Sequence, residues 1–202
     1  MSSVPKILII VASTRTARFA DYPLAWVLER TAYRTDFAFE VFDLRENLLP
    51  LYDLQAPPAM APRAYSSDQQ REIGERLDAA DGYFVITNEF NHGYTAALKN
   101  LIDHYFVEFV HKPISFLGYG NVGGSRAIEQ LRQVAAELDM VSVRPTVHIF
   151  GPQMAPIRID GAARADIFAA LEPRLDLLLT DLHWWASALS AARRADSEIE
   201  SA

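Results

Sequence analysis

Three short polar or glycine-bearing segments carry the residue types from which chemistry could be built. Ser13-Thr14-Arg15, with Arg18 close behind, supplies hydroxyl and guanidinium donors of the kind that hold a phosphate monoester. The stretch Thr87 to Tyr94, with Glu89-Phe90-Asn91-His92-Gly93 at its centre, sets a carboxylate, an amide, an imidazole and an aromatic face side by side. Such a loop can hydrogen-bond the edge of a polar heterocycle. Gly118-Tyr119-Gly120-Asn121-Val122-Gly123-Gly124 permits positive φ values and lets a flat ring approach the backbone. Taken singly, each segment has a plainer reading: a solvated turn, a surface histidine with satisfied nitrogens, a flexible connection from strand to helix.

Placement sets the three apart, because each follows directly on an apolar run. Ile7 to Val11, Gly82 to Ile86 and Ile114 to Leu117 are near-continuous, as strands covered on both faces are. Phe37 to Phe42 mixes in a charge, and Val141 to Ile149 alternates and contains Pro145, which an interior ladder tolerates poorly, so both read as edges. With strands one, three and four central and two and five peripheral, the right-handed doubly wound arrangement that fits is the flavodoxin-like order 2-1-3-4-5. The sequence thus predicts an α/β three-layer sandwich, a five-stranded parallel sheet with helices on both faces. Ligands of such sheets bind outside the carboxyl ends of the strands where strand order reverses, so the three segments converge on one phosphate-bearing molecule.

Helical patterns fall between the strands. One begins near Asp21, read as an N-cap with Pro23 in the first turn, and another at Ser67, whose Gln70 completes a capping box. Thr95 reads as the N-cap of a third helix with Leu98, Leu101, Ile102, Tyr105, Phe106 and Phe109 on one stripe. Ile128, Leu131, Val134 and Leu138 form a fourth stripe. Pro173 is expected to break or restart a helix, beyond which Leu175, Leu178, Leu179, Leu182, Trp185 and Leu189 cover the last open face. The chain divides into one domain over residues 1–190 and a polar, frayed tail over 191–202. The Pro-rich connection from Leu44 to Tyr65 is longer than compact domains usually carry. Its Leu48, Leu49, Pro50, Leu51 and Tyr52 are expected against a subunit, over a ligand, or capping their own core.

Composition narrows the class. Half of the 202 residues are hydrophobic, 22% are charged, and no apolar run approaches the roughly 20 residues that span a bilayer. The formal net charge of −7 and scattered basic residues argue against nucleic acid as a partner. The chain has no cysteine, which excludes disulfides, thiolate catalysis and cysteine-bound metal. The start Met1-Ser2-Ser3-Val4-Pro5-Lys6 carries no charged region leading to a cleavable signal, so the cytoplasm is the expected compartment. No G-x-G-x-x-G follows strand one and no G-x-x-x-x-G-K-[ST] occurs, which counts against a dinucleotide-binding domain and a P-loop nucleotidase.

Ser13-Thr14-Arg15, then Glu89 through Asp103, then Lys112-Pro113 through Gly124-Ser125-Arg126-Ala127 and Gln130-Leu131-Arg132 resemble the NADPH-dependent FMN reductase family. The resemblance runs in order over about residues 6 to 150 and implies a flavodoxin-like fold with FMN as cofactor and NADPH or NADH as reductant. It implies that Ser13 and Arg15, with Thr14, Arg18 and Phe19, hold the FMN phosphate. By the same likeness Glu89, Phe90, Asn91, His92 and Gly93 lie along the isoalloxazine, and Tyr119, Gly120 and Gly123 meet its far edge. Members of the family pair as homodimers or homotetramers. Ala12, Asn88 and Phe90 depart from the family pattern, which commonly has glycine, proline and tyrosine there; Asn88 frees a backbone N–H.

The activity so implied is hydride transfer from NAD(P)H to FMN, then to a small acceptor: a flavin, quinone, azo compound or metal oxyanion. The cofactor carries the difficult chemistry, so neither a catalytic side chain nor a metal ligand is assigned. A flavodoxin-type electron carrier that binds FMN without using NAD(P)H is the alternative, its first loop ordinarily rich in hydroxyls and without arginine. A flavin-free protein retaining the fold is a third.

Overall fold

The computed structural model describes residues 4–159 and 161–200. The expectations for the first three residues and for the last two of the tail lie outside the described residues.

The chain alternates strands and helices: β1 Lys6–Val11, α1 Asp21–Thr31, β2 Ala38–Asp43, α2 Asp68–Asp78, β3 Gly82–Asn88, α3 Ala96–Asp103, β4 Pro113–Gly120, α4 Ser125–Glu137, β5 Val141–Phe150, α5 Gly151–Arg158 and α6 Ala162–Glu200. The strands pair in parallel in the order β2-β1-β3-β4-β5, as the apolar runs predict. Alternate residues of β1 feed two cores. Ile7, Ile9 and Val11 pack with Trp26 and Val27 of α1 and with Leu175, Leu178, Leu179 and Leu182 of α6. Leu8 and Ile10 pack with Ile73 and Leu77 of α2, Leu98 and Leu101 of α3 and Ile128 and Leu131 of α4. Burial on both faces is why the central strands read as unbroken apolar runs. Pro145 sits where the β4–β5 register slips, between the Ile114–Ser142 and Phe116–Thr146 pairs. An edge strand with a bulge accommodates a residue that has no N–H to donate.

Capping was legible at two of three helix starts. Ser67 accepts from the Gln70 N–H at 3.1 Å, although the Gln70 side chain returns to Ser66 rather than to the cap itself. Thr95 accepts from the Leu98 N–H and donates to the Ala12 carbonyl at 2.9 Å, which ties the start of α3 to the end of β1. Asp21 is not the cap of α1; Ala20 holds that position with no side-chain bond, and Asp21 lies within the first turn, where its carboxylate accepts from Arg18. The third helix is also shorter than its stripe. It stops at Asp103, and Tyr105 and Phe109 reach the same core from the turn that follows, where the buried Glu108 carboxylate accepts from the Phe106 N–H and the Tyr65 hydroxyl.

Pro173 neither breaks nor restarts a helix, because α6 runs through it for 39 residues. Interior proline costs about 3 kcal/mol, a penalty offset by Leu175, Leu178, Leu179, Leu182 and Ala186, all fully buried. The segment expected to fray is helical through Glu200 and docks at its start. Ser190 and Arg193 donate to Asp81 at 2.6 and 2.8 Å, and Arg193 also to the His111 carbonyl. No helix among the described residues is long and apolar enough to cross a membrane.

The long connection after β2 is held at its middle by a side chain of α3 and nearer its ends by Gln69, Arg76, Asp78 and Glu108. Asn100 of α3 donates to the Leu49 and Pro50 carbonyls and accepts from the Tyr52 N–H. Leu44 and Leu49 pack on their own core, whereas Leu48, Leu51 and Met60 face outward.

Lys112 precedes β4 and is buried, its Nζ donating to the Leu77 and Asp78 carbonyls at the end of α2. Burial lowers its pKa from 10.5 to about 8, outweighing the nearby Asp78. Below pH 8 both folded and unfolded chains hold this proton. Between pH 8 and 10.5 the folded chain releases it first, so the unfolded state binds more protons and stability rises with pH, by about 3 kcal/mol in all. Above pH 10 the buried hydroxyls of Tyr83 and Tyr105, held protonated chiefly by burial, reverse the trend. Melting temperatures measured across this range are expected to rise and then fall for the native chain, and Lys112→Met to lack the rise; parallel curves would refute the assignment.

Candidate functional site

The carboxyl ends of β1, β3 and β4 open onto a cavity of about 100 Å³ lined by Ser13, Arg15, Arg18, Phe19, Asn88, Glu89, Phe90, Tyr119, Gly120, Met154 and Arg158. Eight of the thirteen residues expected from sequence line it. The turns that bear Thr14, Asn91, His92, Gly93 and Gly123 adjoin it, but those five residues do not line it. A larger groove, about 860 Å³, lies between α1 and the start of α6, away from the point where the three loops converge.

The first loop is braced from beneath. Arg18 is buried and donates through Nη1 and Nη2 to the two carboxylate oxygens of Asp43 at 2.6 and 2.5 Å. Its Nε donates to Asp21 at 2.7 Å, and Nη1 also to the Ser13 carbonyl at 2.8 Å. Burial opposes the Arg18 charge, yet the two carboxylates outweigh it and raise its pKa; Arg18 in turn holds Asp43 low against the same burial. The guanidinium therefore shapes the loop. Ser13 is buried, whereas Arg15 stands exposed at the cavity rim with no carboxylate partner among the described residues.

The second loop is a tight reversal. Phe90 and Gly93 exchange backbone hydrogen bonds at 2.9 and 3.0 Å, and the two residues between them, Asn91 and His92, have φ of 49° and 76°. Left-handed backbone at non-glycine residues concentrates at functional sites. Gln130 of α4 donates to the His92 carbonyl at 2.8 Å. Glu89 is clamped to the first turn of α4, accepting from the Arg126 backbone N–H at 3.2 Å and from its Nε at 2.6 Å. Its side chain is thus a tether between the second and third loops.

In the third loop most glycines serve the protein itself. A Cβ on Gly118 would lie 2.5 Å from the Gly123 carbonyl, and one on Gly124 would lie 2.9 Å from the Tyr119 N, because strand and helix start meet backbone to backbone there. Gly123 faces His148 and Phe150, and its carbonyl accepts from His148 Nδ1. Tyr119 and Gly120 are left facing the cavity. Tyr119 packs on Phe19 with ring centres 5.0 Å apart, and burial pushes its hydroxyl up to about 12, so it is a neutral donor at physiological pH.

Three lining residues were missed. Asn88 was legible only as a departure from a pattern; it is buried, and its Nδ2 is the one buried side-chain polar atom among the described residues without a partner. Met154 and Arg158 lie on α5, which has no apolar stripe to announce it. Their spacing of four places both on the face of α5 that overlooks the cavity.

Residues 5–152 match the family model described as NADPH-dependent FMN reductase. The chain belongs to the NADPH-dependent FMN reductase family. It is 36% identical to an NAD(P)H-dependent FMN reductase of Schizosaccharomyces pombe over 143 residues, 71% of each chain. It is 30% identical to a 2-hydroxy-1,4-benzoquinone reductase of a Burkholderia species over 155 residues, 71% of this chain and 78% of that one. Among solved structures, FerB of Paracoccus denitrificans, a flavoenzyme NAD(P)H:(acceptor) oxidoreductase, superposes with a TM-score of 0.66 at 18% identity, covering 91% of this chain and 98% of its own, a likeness of fold. The chain is accordingly an oxidoreductase, and its flavodoxin-like fold is one it shares with solved structures such as FerB.

Proposed function

We propose that the chain is an FMN-dependent NAD(P)H oxidoreductase serving a small acceptor such as a flavin, quinone, azo compound or metal oxyanion. The observation that carries this reading is the convergence of the Ser13–Arg15 turn, the Glu89–Gly93 reversal and the Tyr119–Gly120 edge on one cavity at the strand ends, in a chain of this family. Relatives named for reduction of azo compounds and benzoquinones support the breadth of the acceptor class.

The residues present fit the cofactor. A cavity of about 100 Å³ is too small for a whole flavin, since ligand sites of that size class run to about 300 Å³ or more. It suits the phosphate end, with the ring on the open ledge formed by the second and third loops. The buried hydroxyl of Ser13 and the guanidinium of Arg15 would hold phosphate oxygens. The unpartnered Asn88 Nδ2, in the wall of the same cavity, would donate to a cofactor oxygen that enters it, which resolves a buried amide otherwise costing about 1–3 kcal/mol. The Glu89–Gly93 backbone would run along the ring, its shape held by the Arg126 clamp and by Gln130. Tyr119 and Gly120 would border the ring's far edge.

When bound, the flavin supplies the redox step, accepting hydride from reduced nicotinamide and passing electrons to the acceptor. The protein positions it, excludes water from its phosphate end and offers backbone donors to the charge that develops on reduction. Exposed Leu51, Met60 and Phe90 offer apolar surface through which copies would pair as a homodimer or homotetramer.

The decisive experiment is an absorbance spectrum of the chain with FMN, then with NADPH or NADH under anaerobic conditions, then in air. Bound flavin is expected to bleach and recover. Flavin that binds but stays oxidised with both nucleotides would eliminate the NAD(P)H step, and failure to bind FMN would eliminate the whole reading.

A further inference from the structure

We infer that Arg158, contributed by the short helix after the last strand, is the second cationic ligand of the flavin phosphate, partnering Arg15. The inference rests on the reading that the cavity takes FMN, and it concerns a residue beyond the stretch, 5–152, that matches the family.

Charge balance is the starting point. A phosphate monoester carries about −1.5 to −2 at pH 7. Three arginines border the cavity: Arg15, Arg18 and Arg158. Arg18 adds no net positive charge, because Asp43 and Asp21 both accept from it, and only the more distant Arg45, 3.5 Å from Asp43, brings that cluster back to neutrality. Arg15 alone would leave the dianion half compensated. Arg158 has no carboxylate partner among the described residues and is the remaining cation on the wall.

Geometry favours the same assignment. The Arg158 guanidinium carbon lies 5.4 Å from the centre of the Phe19 ring. Phe19 is itself buried and wedged against Tyr119, so the ring is a fixed platform that orients the planar fork above the first loop. The helix that carries Arg158 is anchored at both ends: Gln153 accepts from the Phe150 N–H at 2.8 Å, and Ile157 is fully buried in the α1/α6 core. One turn back, Met154 lines the same cavity and supplies an apolar cover beside the charge. The helix after the last strand thus contributes Met154 and Arg158 to the wall that Ser13 and Arg15 also line.

The test compares FMN with riboflavin, which lacks the phosphate, by fluorescence titration of the full-length chain and of Arg158→Gln and Arg15→Gln. Arg158→Gln is expected to weaken FMN binding about tenfold, the lower end of a charge-assisted hydrogen bond at an exposed site, to leave riboflavin binding unchanged, and to lessen the salt dependence of FMN binding. Arg158 is exposed, so melting temperature should hold and exclude misfolding. If Arg158→Gln binds FMN like the native chain while Arg15→Gln is weakened, Arg158 is no ligand although the site reading survives. Equal weakening towards FMN and riboflavin would also overturn the assignment, since Arg158 would then act through Phe19. A native chain that binds neither flavin would remove the site reading itself.

Discussion

Exchanging Arg18 for alanine is expected to lower folding stability by about 3–5 kcal/mol, the range for breaking a buried ion pair by removing one partner. The substitution leaves the buried Asp43 carboxylate with only Arg45, through its guanidinium at 3.5 Å and its backbone N–H at 2.9 Å, and it frees the Ser13 carbonyl. The effect depends on pH with a definite sign. Asp43 is held below its ordinary value of 3.8, so the stability it contributes is present above that pH and is lost as pH falls through its lowered folded value. In the alanine variant burial acts unopposed by Arg18, the carboxyl protonates more readily, and the deficit should shrink in acid. Urea unfolding at pH 7 and again near pH 4 measures both. The pair Arg18→Met with Asp43→Leu should recover most of the loss in stability, since well-packed apolar residues commonly replace a buried pair at no cost. A loss below about 1 kcal/mol at pH 7 would show that the pair does not hold the loop.

The second large effect is expected at Gly124, where alanine should cost about 3 kcal/mol and loosen flavin binding together. Two separate penalties combine. The residue sits at φ 68°, where an L side chain costs roughly 1–2 kcal/mol, and the added Cβ would lie 2.9 Å from the Tyr119 N and 3.0 Å from the Gly118 Cα, an overpacking worth about 1–3 kcal/mol. Neither neighbour is a flexible side chain, so relief requires α4 to move away from β4. That movement would lengthen the Glu89–Arg126 clamp and disturb the Tyr119–Gly120 edge. Thermal unfolding gives the first quantity and FMN titration the second. Stability within about 0.5 kcal/mol of the native chain, the scatter of an ordinary surface change, would mean that the close approach of strand and helix is not rigid.

The arginine at 18 also shows how far a residue type can be read. Its place close behind a serine–arginine turn suggested a phosphate ligand, while the structure engages it with Asp43, 25 positions away on β2. Glu89 is a similar case. It lies in the loop that the family pattern marks, yet its side chain tethers that loop to Arg126 on α4. In both, the partner belongs to a different strand or helix, and no local spacing records which distant element will lie opposite. Pro173 and the segment from Ala191 onward illustrate the converse, in which local propensity indicated a break and fraying. Packing of the α6 leucines on the sheet and docking of Arg193 on Asp81 overrode it.

What the sequence determined by itself is the sheet and its sidedness. Continuous apolar runs at β1, β3 and β4 and mixed ones at β2 and β5 place the centre and the edges, because burial on both faces imposes composition residue by residue. It also determined that the three loops singled out share one edge of the sheet, where they line the candidate cavity, since loops at the carboxyl ends of parallel strands lie together. The tertiary structure alone decided which side chains face the cavity and which brace it, and it alone brought Asn88, Met154 and Arg158 to the wall. Those outcomes depend on contacts between elements far apart in the chain, whose energies have no signature in local periodicity.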